Sequence, residues 1–168
     1  MKRSQLELWP LVVVVLGLAF WPRSARAQAA PQITAILTDS ALMYYLESVA
    51  ETAHVETARC LMGRIRGDSV WILAAVDAPW LILAQSDSAV DLRPVNCPPG
   101  TVAIWHNHVR AWTQQRYGTT SCYLGQGDAT VLKKPITPPI AIVSVRLGVS
   151  CTFVRLPSGD LVAIPTLR

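Results

Sequence analysis

Several things are scarce in this 168-residue chain, and each absence removes a class of function. No apolar run reaches the roughly 20 residues that a bilayer core demands; the longest, Leu8 to Trp21, falls short. Net positive charge is scarce beyond the first segment: the formal net charge is +4, and residues 1–27 carry +3 of it through Lys2, Arg3, Arg23, Arg26 and Glu7. What remains has no electrostatic footprint for DNA or RNA, so nucleic acid is not expected as a partner. Repeats, low-complexity tracts and internal linkers are missing, which leaves one domain with a real core. Histidine occurs only three times, as His54, His106 and His108, and that scarcity makes the placement of each one informative.

The first segment is best kept out of the fold. Lys2 and Arg3 precede the apolar run, and Ala25-Arg26-Ala27 supplies a small-x-small cleavage pattern, so residues 1–27 read as a secretory signal peptide and residues 28–168 as the mature domain. The alternative is an uncleaved N-terminal anchor flanked by Arg23 and Arg26. After cleavage no stable membrane span is expected, and the product is periplasmic or extracellular. Four cysteines, Cys60, Cys97, Cys122 and Cys151, then enter an oxidising compartment, where an even number allows up to two disulfides in three connectivities. Their spacings match no zinc-knuckle pattern. Cys60, inside an apolar run, also fits a buried thiol.

Hydrophobic periodicity organises the rest. "QITAIL" is β-like, and "ALMYYLESVAETA" is a helix capped by Asp39 or Ser40, with Leu42, Tyr45, Leu46 and Val49 on one face. Glu47 and Glu51 are expected to be solvated on that helix. "TARCLMGRI", "SVWILAAV" and "WLILAQ" read as strands, with "RGDS" as a hairpin turn between the first two. "RPVNCPPG" is a loop leading into "TVAIW", a buried-type strand that ends at His106. A second helix starts near Asp128 and stops before Pro135; a strand "IAIVSVRLG" and a hairpin turning at Ser158-Gly159 follow.

His106 and His108 stand at that strand end, separated by Asn107. Strand side chains alternate with period two, so both imidazoles face one way and can share one metal ion. Zinc hydrolases commonly add a third protein ligand and leave a position open. Asp128, at a helix start after two glycines, is the leading carboxylate ligand. Glu56, leading into a strand, is the leading catalytic base.

These residues resemble the JAB/MPN metalloproteases with the JAMM motif. "ETARCLMG", Glu56 to Gly63, is similar to the family's E-x-x-G-L-x-x-G segment, "TVAIWHNH" to its strand ending in H-[ST]-H, and "CYLGQGD" to its C-W-L-S-x-x-D. The resemblance spans about residues 33 to 155 and implies an α/β fold, a JAB/MPN-like curved mixed β-sheet flanked by helices in a single domain. It also implies Zn²⁺ on His106, His108 and Asp128, with Glu56 activating water for attack on the amide bond of a peptide or protein substrate. The chain would then be an exported zinc-dependent peptidase or isopeptidase-like hydrolase.

Three departures bear on this. Asn107 replaces the middle Ser or Thr, on a side chain that alternation points away from the metal. Gly125 replaces the serine that the family uses toward the oxyanion, a loss that can cost about 10²–10³ in rate. The interval from His108 to Asp128 is long, with Arg110, Trp112, Gln114 and Arg116 in a lid-like insert. The competing expectation is a catalytically inactive binding or assembly module.

Overall fold

In the computed structural model the described residues are 32–77, 82–85, 90–92, 97–109 and 122–167. All lie in one compact unit, Pro31–Arg168. The expected signal peptide and the insert with Arg110, Trp112, Gln114 and Arg116 fall outside the described residues.

The elements in chain order are β1 (Ala35–Thr38), α1 (Ser40–Thr52), β2 (Ala58–Arg66), β3 (Ser69–Asp77), β4 (Ile82–Gln85), β5 (Val90–Leu92), β6 (Thr101–Asn107), α2 (Gln126–Leu132), β7 (Ile140–Arg146), β8 (Val149–Arg155), β9 (Leu161–Ile164) and β10 (Thr166–Leu167). Eight strands form one sheet in the order β10-β1-β3-β2-β6-β7-β8-β9, and β4 pairs with β5 separately. Pairing is parallel where β1 meets β3 and β10 and where β6 meets β7, and antiparallel elsewhere in the sheet.

The two outermost strands of that order are consecutive in the chain. β9 pairs with β8, β10 pairs with β1, and Pro165 alone separates them. Proline has no N–H to continue a ladder, so it is a natural point for the chain to leave one strand and join another. Thr152 of β8 also hydrogen-bonds Thr166 of β10. The sheet is therefore a nearly closed eight-stranded barrel.

This corrects the expected JAB/MPN-like curved mixed β-sheet flanked by helices. The sheet is mixed, but it comes close to closing on itself, and only two helices occur among the described residues. The alternation of apolar residues specifies each strand and its inward face, yet carries nothing about whether the outer strands meet.

Asp39 caps α1, its carboxylate accepting from the N–H groups of Ala41 and Leu42 at 2.6 and 3.3 Å. The helix buries Met43, Leu46, Glu47 and Ala50, and of the expected face Leu42 and Val49 are partly buried against the core while Tyr45 is 46% exposed. Glu47 also goes inward. Its carboxylate accepts from the Gly148 N–H at 3.0 Å and the Ser150 hydroxyl at 2.9 Å, which offsets the cost of burying a charge. Glu51 accepts from the Leu147 N–H at 3.2 Å, so both glutamates expected to be solvated hold the β7–β8 turn.

One hydrophobic core joins α1 to the sheet through Ile36, Leu46, Leu61, Val70, Trp105 and Ile142. Trp105 is fully buried and donates its indole N–H to the Ser144 hydroxyl at 2.8 Å. The Arg59 guanidinium lies over the rings of both Tyr45 and Trp105 and pairs with Asp77. The Trp105 side of β6 thus faces α1, and by alternation Ile104, His106 and His108 face the other way.

Gly63 is required by a close approach. A Cβ there would lie 2.1 Å from the Trp71 carbonyl oxygen and 2.9 Å from a Val102 methyl, next to irregularities in both of β2's pairings. Gly63→Ala is expected to lower unfolding stability by about 1–3 kcal/mol, because backbone rather than a flexible side chain must move. Urea denaturation measures this; an unchanged midpoint would show that β2 and β3 can separate freely.

Candidate metal centre

β6 is buried along its length, and the histidines extend that burial: His106 is 2% and His108 4% exposed. The Nε2 atoms of the two rings stand 3.2 Å apart. Asp128 meets both, with Oδ2 at 3.3 Å from His108 Nε2 and Oδ1 at 3.5 Å from His106 Nε2. One ligand atom from each of the three residues lies within 4.8 Å of the other two.

A tetrahedral ion with bonds of about 2.0–2.1 Å holds adjacent ligands about 3.3 Å apart. The imidazole nitrogens stand at that spacing and the carboxylate spans them both. His106, His108 and Asp128, the expected ligand set, can therefore hold a metal ion. Burial alone would raise the Asp128 pKa, but hydrogen bonds from His106 and His108, and then their charges, hold it well below the usual carboxylate range.

Each ligand is steered by its own surroundings. Asp128 lies in the first turn of α2, where its Oδ2 accepts from the Gly125 N–H at 3.0 Å. His108 packs its ring on Tyr123, with centroids 4.7 Å apart, and its backbone N–H donates to the Ser144 carbonyl at 2.9 Å. Its Nδ1 is buried without a hydrogen-bond partner among the described residues, so ring packing takes the orienting role that a hydrogen bond usually has at a metal site.

Glu56 is 5% exposed and precedes β2. Ala58 pairs with His106, and the next rung is an Asn107 N–H donating to the Thr57 carbonyl at 3.2 Å. Glu56 lies two residues before Ala58, outside the paired residues, and is not part of the His106, His108 and Asp128 group; Ala58, opposite His106, shares the histidine face. Asn107 points off that face, as alternation requires, and its side chain engages residues 55 and 57. His54 is exposed.

Both disulfides support the arrangement. Cys60 pairs with Cys97 and Cys122 with Cys151, leaving no free cysteine, which fits an oxidising, exported environment. Cys60 is therefore bridged rather than a lone buried thiol. Cys122 ties the approach to α2, and so to Asp128, onto β8. No helix among the described residues is long and apolar enough to cross a membrane.

Sequence reasoning missed the roles of Tyr123 and of the Cys122–Cys151 bridge. A tyrosine beside a cysteine carries no signal until His108 is placed against it, and four cysteines alone leave the connectivity open.

Gly125 is more than a missing serine. A Cβ at this position would lie 2.8 Å from Asp128 Oδ2. Gly125→Ala is expected to displace the carboxylate and weaken the binding of a divalent metal ion, probed with added zinc, about 10–100-fold, read by competition with a chromophoric chelator, with little change in folding. Unchanged affinity would show that the Gly125 backbone does not set the Asp128 position.

In comparisons with known proteins, no protein-family model and no curated protein matches this chain. Among solved structures, the chain is similar to the solution structure of protein DSY2949 from Desulfitobacterium hafniense, with a TM-score of 0.49 and 14% identity over 79% of this chain and 91% of that one.

Proposed function

We propose that this chain is an exported, zinc-dependent hydrolase that cleaves an amide bond in a peptide or protein, in the manner of a peptidase or isopeptidase. The observation that supports the reading is the convergence of two buried imidazole nitrogens and a half-buried carboxylate at ligand spacing, with a second carboxylate, the buried Glu56, just before the strand that pairs with β6. The reading rests on these residues and not on the JAB/MPN architecture, which the chain does not adopt. In keeping with export, residues 1–27 are taken as a removable signal.

His106, His108 and Asp128 would hold the ion, and a nitrogen and oxygen donor set suits zinc among divalent metals. A divalent ion there supplies Lewis acidity, polarising a carbonyl and making water more acidic. Glu56 takes the proton from the attacking water and delivers it to the leaving amine, a role that requires a carboxylate beside the ligands but not among them. Its burial removes competing bulk water from the proton's path. Asp128 neutralises part of the charge, and its bond from Gly125 keeps the carboxylate turned toward the imidazoles.

A specific observation favours a second reading, an inactive binding module. Gly125 has no side chain to donate to an oxyanion, and its N–H is already engaged by Asp128. The two readings separate at Glu56. Glu56→Gln keeps the shape and removes the base, so hydrolysis of a random-sequence quenched-fluorescent peptide mixture should fall about 10²–10⁴-fold with zinc content unchanged. Equal rates in both proteins would remove Glu56 from the mechanism, and no hydrolysis in the unmodified protein would favour the module.

A further inference from the structure

Asn107 is fully buried between two ligands, yet contributes nothing to the ligand set. Its side-chain oxygen accepts from the Thr57 N–H at 2.7 Å and from the Thr57 hydroxyl at 3.0 Å. Its side-chain nitrogen donates to the Val55 carbonyl at 3.3 Å. Its backbone N–H donates to the Thr57 carbonyl at 3.2 Å. One side chain thus grips the residue before Glu56 and the residue after it. Glu56 itself lies just outside β2, before its first residue.

We infer that Asn107 is a positioning residue that holds Glu56 in register with His106 and His108. Resting on the proposed function, this gives the middle position of His-Asn-His a role of its own: the flanking residues bind the ion and the central one places the base. The amide suits the task because it presents an acceptor and a donor together, matching the Thr57 donors and the Val55 carbonyl. A Ser or Thr side chain is shorter and would have to make donor and acceptor contacts from a single oxygen. Asn107 would act through Glu56, and loss of its grip should impair the proton transfer rather than substrate or ion binding. A displacement of about 1 Å at a reacting group can cost about 10²-fold in rate.

The experiment compares the mature protein, residues 28–168, with Asn107→Ala and Asn107→Asp, using three readouts. Amide hydrogen exchange reports the grip directly: Thr57 should lose protection in Asn107→Ala while the His108 amide, bonded to Ser144, keeps it. Zinc content should stay at about one per chain. With the same peptide mixture, kcat should fall about ten- to a hundred-fold at nearly constant KM, and Asn107→Asp, which keeps the acceptor for Thr57, should lie between Ala and the unmodified protein. Unchanged Thr57 protection, or joint loss of zinc and activity, overturns the inference. If Asn107→Ala does not fold, Asn107→Asp and Thr57→Val are read against the same criteria. If the unmodified protein cleaves none of the peptides, the proposed hydrolysis fails instead. Thr57 exchange then decides the grip alone: protection lost with zinc retained supports it, and protection kept overturns it.

Discussion

The antiparallel pairing of β2 with β6 is the constraint on which the rest depends. With Ala58 opposite His106, a single register places the Glu56 segment beside the histidines, sends Cys60 to the same face and leaves Trp105 on the α1 side. A slip of one residue would exchange the faces of every side chain on β6, taking the imidazoles from one side of the sheet to the other. Three features oppose that slip. Gly63 permits the close approach of Val102 on β6, Trp105 is anchored to Ser144 and beneath Arg59, and Asn107 fastens the far end of the pairing to residues 55 and 57.

Asp128 reaches the histidines from a separate element, a helix of only seven residues, which has little stability of its own. Its anchorage comes from outside. The Cys122–Cys151 bridge closes a sequence separation of 29 residues, worth about 3–4 kcal/mol in the chain-entropy view. The Arg155 guanidinium, on the other side, hydrogen-bonds the carbonyl of Leu132 at 2.6 Å and that of Thr137 at 3.0 Å, which holds the end of α2 and the turn after it. α2 is therefore tied to β8 before its start and after its end, and Asp128 inherits its position from the sheet.

Much of this was legible in the sequence because it obeys short periods. The His-x-His alternation, the Asp39 cap, the turns at Gly67 and Gly159 and the strand runs all follow from local geometry. Asp128 was reachable as a carboxylate at a helix start. What escaped depends on contacts between distant residues. Glu47 looked like a solvated helix residue because its partners, Gly148 and Ser150, are about a hundred positions away. The near closure of the barrel turns on Pro165 and on two residues of β10, too short a run to register as a strand. The helix-flanked JAB/MPN architecture was inferred from motif order, and motif order fixes which residues meet at a site more tightly than it fixes the sheet around them.

The central claim is that His106, His108 and Asp128 form one metal site. It is tested most directly by elemental analysis of the purified mature protein, offered zinc and dialysed, beside a folded His106→Ala/His108→Ala variant. The account predicts about one zinc per chain in the first and none in the second. No metal in either protein, or equal metal in both, would contradict it.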